Sequence, residues 1–249
     1  MQMNKILLLG CGNMGGALLT QWLPSKRYEI NVVTNSTRQV ASNMLSHTSA
    51  DTLTNNHFDL LVIAIKPQLI NSILPQYTTK LKVGGLLLSV AAGTSIATLA
   101  QHLPHSAIVR AMPNLPAIIG KSTTGLFANE YVIDQHKVLV DELLELVGTN
   151  IWLDNEDNLD KFTAIAGSGP GYIFFIIESY MQAARDLGFS ELDAKTMVLN
   201  TMSASVQLAL ESEKTPNQLR QEVTSKNGTT AAGLSKLMQD KQLQQLFTQ

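Results

Sequence analysis

Two stretches of the chain bring together residues that do chemistry at a distance from water. Gly10-Cys11-Gly12-Asn13-Met14-Gly15 spells G-x-G-x-x-G, directly after the apolar run Lys5–Leu9 and directly before a stretch with helical spacing. In that setting the pattern is a dinucleotide-binding turn. The first glycine permits the tight turn, the second lets backbone approach a pyrophosphate, and the third lets helix and strand pack closely. The helix N-terminus then offers unpaired N–H groups and a partial positive charge to the phosphates. The second stretch is Ser225-Lys226-Asn227-Gly228-Thr229-Thr230, which interrupts a helical region with hydroxyls and permissive backbone. Adjacent N–H groups in a turn that enters a helix suit a small anion. The same residues also make an ordinary inter-helix turn with Gly228 at a left-handed position.

The end of the second strand speaks to the choice of cofactor. It reads Thr34-Asn35-Ser36-Thr37-Arg38, with no Asp or Glu to grip a ribose 2′-hydroxyl. Donors at Asn35 and Ser36 and a guanidinium at Arg38 suit a 2′-phosphate, so NADP(H) is favoured and NAD(H) stays open. Arg38 either holds that phosphate or is a solvated residue of a first helical turn. Ile65-Lys66-Pro67 follows the third strand, at the edge where such sheets bind ligands. Lys66 there either faces the cofactor or extends from the strand end into solvent. Cys11 reads as a small filler within the glycine loop.

Other catalytic constellations are missing from the sequence. Of the five histidines only His102 and His105 are close, with no Cys or third ligand beside them, so no metal site is expected. No G-x-S-x-G nucleophile elbow occurs, and the glycine loop lacks the G-K-[ST] of a nucleotide-hydrolysing P-loop.

The elements that must position these residues change character part-way along the chain. Lys5–Leu9, Ile30–Val33, Leu60–Ile65, Leu86–Val90 and Ala107–Arg110 are near-continuous apolar strands. Met14–Leu23, Thr37–Leu45, Gln68–Leu81 and Ser95–His102 lie between or after them with helical spacing. Such alternation implies a parallel sheet covered on both faces. Thr123–Phe127 and Asn150–Leu153 add strands around a helix at Val132–Leu146. After about Asp154 no strand is expected, and Tyr172–Leu187, Glu191–Glu211, Pro216–Val223 and Thr230–Gln239 read as helices. Two of them carry apolar residues on more than one face, which implies burial against another chain. The fold class is therefore α/β, a Rossmann-type parallel-sheet domain at 1–157 followed by an all-helical domain at 158–249.

The totals agree with that organisation. With 249 residues, 45% hydrophobic and 15% charged, the chain has a globular composition and length for one large or two modest domains. A net charge of −2 and the lack of a basic run leave nothing to recruit nucleic acid or anionic lipid. The N-terminal apolar run enters a glycine turn rather than a cleavage site, and no apolar stretch is long enough to span a bilayer. One cysteine excludes an internal disulfide, so a cytoplasmic protein is expected.

Taken in order and spacing, the motifs resemble those of pyrroline-5-carboxylate reductases. The likeness rests on GCGNMG, IKP at 65–67, SVAAG at 89–93, RAMPNLPA at 110–117, GSGPGY at 167–172 and SKNGTT at 225–230. It runs from Lys5 to about Leu237. The resemblance implies a homodimer interlocked through the helical domain, with dimers often assembling into a decamer. It implies hydride transfer from NAD(P)H to the C=N carbon of 1-pyrroline-5-carboxylate, giving L-proline.

The site residues follow from the same resemblance. Thr230 is expected to hydrogen-bond the ring nitrogen, with Ser225 beside it and Gly228 and Thr229 lining the substrate loop. Glu156 either faces the substrate or is a surface carboxylate near a helix start, and the role of Glu213 stays undefined. On the cofactor side the implied set is Gly10, Gly12, Asn13, Met14, Gly15, Asn35, Ser36, Arg38, Ile65, Lys66, Pro67, Ala91, Ala92 and Asn114. Asn114 either supports the nicotinamide region or simply forms an Asn-Leu-Pro turn. Pro170 suits a helix's first turn.

Three departures stand out. The family's usual Ser-Pro-Gly-Gly-Thr-Thr is Ser-Lys-Asn-Gly-Thr-Thr here, its Asn-Thr-Pro is Asn114-Leu115-Pro116, and the chain stops at Gln249, short of a common final helix. Asn227 accepts a left-handed conformation, while Lys226 adds a charge beside the proposed carboxylate site. Rival readings are an NADP-dependent imine reductase or β-hydroxyacid dehydrogenase and a non-catalytic dinucleotide-binding relative. The dehydrogenases use a lysine on their interdomain helix, and none lies between Lys161 and Lys195.

Overall fold

The structure is a computed structural model that describes residues 3–34, 45–53 and 57–239, with Gln245 and Phe247. It divides into two compact units, Met1–Pro170 and Gly171–Gln249.

Among the described residues, the first unit is built on an eight-stranded sheet. Its strands are β1 (Asn4–Leu9), β2 (Tyr28–Val33), β3 (Leu45–His47), β4 (Phe58–Ile63), β5 (Leu81–Ser89), β6 (Ala107–Met112), β7 (Ser122–Ala128) and β8 (Gly148–Trp152). They lie in the order β3-β2-β1-β4-β5-β6-β7-β8. Every neighbouring pair is parallel except β6 with β7, which is antiparallel, with Met112 opposite Gly125. The chain leaves β1 towards β2 on one side and returns to β4 on the other. The crevice above the carboxyl ends of β1 and β4 is thus the switch point where such sheets take ligands.

Alternation along the strands explains the two-sided core. Ile6 and Leu8 join Leu18, Trp22 and Leu143 on one face, while Leu7 and Leu9 join Phe58, Leu61 and Ile70 on the other. The first face is covered by α1 (Asn13–Trp22) and α4 (Asp134–Glu145), and the Trp22 indole N–H donates to Leu143 O at 2.9 Å.

Several expectations are corrected in detail. The helix expected over Gln68–Leu81 is broken into 3₁₀ turns around a single helical turn, α2 (Ile70–Ile73). Pro75 lacks an N–H, and its ring would strike the carbonyl of Asn71 in a continuous helix. Most of the helix expected at Thr37–Leu45 lies outside the described residues, and Leu45 begins the short edge strand β3. The helix expected at Ser95–His102 is the shorter α3 (Ile96–Ala100). Beyond β3, the sequence did not anticipate α5 (Asn158–Phe162) or a π turn over Thr163–Gly167, in which Ser168 N–H reaches back to Thr163 O at 2.8 Å. The Phe162 ring lies over Gly125, where a Cβ would stand 2.8 Å from it.

The second unit is helical, with α6 (Gly169–Asp186) entering it, then α7 (Glu191–Glu211), α8 (Pro216–Glu222) and α9 (Thr229–Leu237). Their starts are chemically specified. Ser190 caps α7 by accepting from Asp193 N–H at 3.1 Å, and Thr215 and Gln218 cap α8 reciprocally, with Pro216 in its first turn. From Gly171 onward, among the described residues, the buried hydrophobic side chains are Ala184, Ala194 and Val198. Phe175 is 68% exposed and Leu210 81%, with Phe174, Leu192 and Val206 also open. So many large apolar side chains left open in one helical unit mark it as an interaction surface. No helix among the described residues is long and apolar enough to cross a membrane.

Candidate active site

The glycine loop sits at the crevice, and each glycine has a different physical reason. Gly10 adopts φ +97°, donates to Val33 O at 2.8 Å, and leaves a Cβ only 2.5 Å from Ala64 O. Gly15 is pressed against the Gly10 carbonyl, and a Cβ there would lie 3.0 Å from that of Ala64. Gly12 differs from both: among the described residues, a Cβ there would meet nothing within 4 Å. It is small with no described protein atom demanding it, as a residue that admits a ligand must be. Gly12 also caps α1, which has no side-chain cap and no acidic residue in its first turn. Asn13, Met14 and Gly15 therefore present a helix N-terminus with its positive end uncompensated. The donor set fits a pyrophosphate.

Beside the loop a cavity of about 340 Å³ is lined by Gly10, Thr34, Ser49, Ile65 and Tyr77, among others. Thr34 directly follows β2 and donates its N–H to His47 O at 3.0 Å. Asn35, Ser36 and Arg38, expected at the 2′-phosphate, lie outside the described residues. Exposed Lys66 is extended and precedes the 3₁₀ turn Pro67–Leu69. After β5, Ala91 is buried and donates to Ser89 Oγ at 3.3 Å. Ala92 is exposed, and Gly93 at φ +68° turns the chain towards α3.

At the end of β6, Asn114 is held by protein on all sides. Its Oδ1 accepts from Ser122 Oγ and Thr123 N–H, each at 3.1 Å, and its Nδ2 donates to Ala166 O at 2.9 Å. The side chain braces β7 and the π turn. A Cβ on Gly167 would lie 3.3 Å from Met112 Cε, so this turn closes over the end of β6.

Arg110 was not singled out from the sequence. Its side chain is 11% exposed, and Nη1 meets Glu156 Oε1 at 2.6 Å. The same oxygen accepts from Ile96 N–H at 2.7 Å. Glu156 is thus neither a lone surface carboxylate nor free of protein partners. The signal was present, because one arginine in the apolar strand AIVRAM has to find a counter-charge.

In the second unit, the SKNGTT loop turns at Asn227, which takes φ +61°, while Gly228 has φ −80° and caps α9. The left-handed position thus belongs to Asn227, whose short polar side chain tolerates it. Gly228 is small for another reason: the Ser225 hydroxyl occupies the space a Cβ would need. Gly228 N–H donates to Ser225 O at 3.1 Å. No side chain caps α9, so Thr229 and Thr230 open it with N–H groups and hydroxyls exposed. That is a small anion's donor set with two hydroxyls beside it.

Comparison with known proteins places these features in a family. A pyrroline-5-carboxylate reductase from Pseudomonas aeruginosa is 32% identical over 240 residues, covering 92% of this chain and 87% of its own. The chain belongs to the pyrroline-5-carboxylate reductase family. The family's dimerisation model matches residues 156–249, and the model described as "NADP oxidoreductase coenzyme F420-dependent" matches residues 5–93. The solved pyrroline-5-carboxylate reductase of Coxiella burnetii superimposes with TM-score 0.87 at 31% identity, covering 99% of this chain and 94% of that one. The Plasmodium falciparum pyrroline carboxylate reductase, solved with NADP bound, gives TM-score 0.88 at 27% identity, with 100% and 94% covered. The helical half matches the family's dimerisation domain, which supports a homo-oligomer.

Proposed function

We propose that the chain reduces 1-pyrroline-5-carboxylate to L-proline with NADPH, as a homodimer in the cytoplasm. The observation that carries this reading is the pair of uncapped helix N-termini on a chain of this family. One opens at Gly12 for a pyrophosphate, and the other opens at Gly228 with Thr229 and Thr230 for a carboxylate. Residues 1–157 hold the cofactor, and residues 158–249 dimerise and capture substrate; the match of the dimerisation model to 156–249 supports this division. Assembly of dimers into a decamer is the larger form we propose.

When bound, NADPH would supply the hydride taken up at the C=N carbon, whose π pair would pass to the protonated nitrogen and leave a neutral amine. The chain's own task is binding and orientation. Gly10, Gly12, Asn13, Met14 and Gly15 hold the pyrophosphate, and Asn35, Ser36 and Arg38 the 2′-phosphate. Ile65, Lys66, Pro67, Ala91 and Ala92 line the cofactor side, with Asn114 behind them. The N–H groups at Thr229 and Thr230 take the carboxylate. The Thr230 hydroxyl bonds the ring nitrogen, with Ser225 shaping the loop.

The test is NADPH consumption by purified protein with fresh pyrroline-5-carboxylate, and chromatographic identification of the product. Substrate-dependent oxidation with proline formed is expected. NADPH binding without turnover would overturn the reading.

A further inference from the structure

Arg110 is the one charged residue in β6, and a guanidinium so nearly removed from water stays folded only with a partner. Glu156 supplies that partner from 46 residues away, and its Oε1 is shared: Arg110 Nη1 at 2.6 Å, Ile96 N–H at 2.7 Å. A single carboxylate oxygen therefore ties three segments together. These are β6 two residues before Met112, the first residue of α3, and the turn that leads into α5. Ile96 directly follows the Ala91–Ser95 turn, whose path depends on left-handed Gly93 and on Ser95, which caps α3 by accepting from Thr98 N–H at 3.2 Å. The turn has its N-terminal end set by β5 and its C-terminal end set by Glu156.

We propose that Glu156 and Arg110 are positioning residues for hydride transfer, holding the Ala91–Ser95 turn in register with the end of β6, and that Glu156 does not contact the substrate. The inference rests on the reductase reading above. Its physical basis is the steep dependence of transfer on alignment, where a displacement of about 1 Å costs about a hundredfold in rate. The carboxylate oxygen that would oppose a forming iminium is already neutralised by a guanidinium at ion-pair distance, so little field is left for a second cation. A charge-assisted bond of this kind is short and geometrically demanding, which suits it to fixing a turn.

Glu156→Gln keeps the shape and an acceptor for Ile96 N–H but loses the charge that holds Arg110. The expected result is a fall in kcat of about tenfold, with KM for pyrroline-5-carboxylate and the NADPH dissociation constant each within about twofold of wild type. Because misalignment slows the transfer step itself, the isotope effect on kcat with NADPH deuterated at the transferred position should rise. Arg110→Met should give the same pattern, and the double variant should be no worse than the worse single one. Arg110→Lys, which restores charge, should recover part of the rate. NADPH binding by fluorescence titration verifies that each variant is folded.

A rise of about tenfold in KM for pyrroline-5-carboxylate with kcat unchanged would make Glu156 a substrate ligand and overturn the proposal. Fully additive losses in the double variant would also overturn it, since the two residues would then act separately. Wild-type protein that binds NADPH but does not turn over pyrroline-5-carboxylate would overturn the reductase reading, and this inference with it. Failure of the variants alone leaves that reading intact.

Discussion

Asn114 Nδ2 donates to Ala166 O at 2.9 Å, the carbonyl that Pro170 is unable to serve. In a regular helix the donor to a carbonyl is the N–H four residues on, and here that residue is a proline. The amide from the end of β6 takes its place. Two motifs far apart in sequence, Met112-Pro113-Asn114 and Gly167-Ser168-Gly169-Pro170, are thus halves of one brace. Asn114→Ala would strip partners from Ala166 O, Thr123 N–H and Ser122 together. Leaving such groups unmet costs about 2–3 kcal/mol. Urea unfolding should show a lower midpoint with an unchanged slope. Asn114→Asp keeps the acceptor but sets a carboxylate against the Ala166 carbonyl, and should be no better than alanine.

The three glycines of the loop should separate folding from binding. Gly12→Ala meets no atom of the described residues within 4 Å, so stability should change by less than about 1 kcal/mol. The added methyl stands where the pyrophosphate must approach, and the NADPH dissociation constant should rise by at least about tenfold. Gly10→Ala is the converse: at φ +97° and 2.5 Å from Ala64 O it should lower the melting temperature with or without cofactor. Equal loss of stability in the two variants would show that Gly12 is a packing glycine after all.

What the sequence revealed and what it hid follow from the range of the interactions. Ile6–Leu9, Leu60–Ile63 and Leu86–Leu88 read as strands because a sheet covered on both faces needs apolar residues at successive positions. Helix α7 is found at Glu191–Glu211, as expected, because Ser190 and the acids of its first turn mark its start. Helical periodicity over Gln68–Leu81 misled, since spacing carries no penalty for Pro75. The three-residue β3 has too little pattern to announce itself. Least legible were the braces, because Arg110 meets Glu156 and Asn114 meets Ala166 across 46 and 52 residues. Residues so far apart in the chain carry no local sign that they pair.

Acid sensitivity should be traceable to Asp59, at the other end of the sheet. Burial pushes its carboxyl up, but the Lys5 N–H donating at 2.7 Å and the hydrogen-bonded Lys82 ammonium together outweigh it, and the net displacement is below the usual carboxylate value. A group with a depressed folded value stabilises fully above its unfolded value, near pH ~4. That contribution drains away as pH falls through the lower folded value. Asp59→Asn should therefore lower the melting temperature at neutral pH, the stability lost being on the order of 1 kcal/mol. Below about pH 4 its curve should converge on that of wild type. Parallel curves down to low pH would remove Asp59 from the acid transition.

The substrate loop allows the sharpest separation of binding from chemistry. Backbone N–H groups at the start of α9 do not depend on the Thr230 side chain, because Asn227 and Gly228 set the turn before it. Thr230→Ala should thus leave carboxylate capture in place, with KM and NADPH affinity within about twofold. The lost hydroxyl matters as the nitrogen changes from iminium to amine, so kcat should fall by about ten- to a hundredfold. Thr230→Ser restores the hydroxyl and should recover most of that loss. A rise in KM at unchanged kcat would mean that the hydroxyl helps to bind the substrate's ground state and not the transition state, and the carboxylate would then be the group it serves.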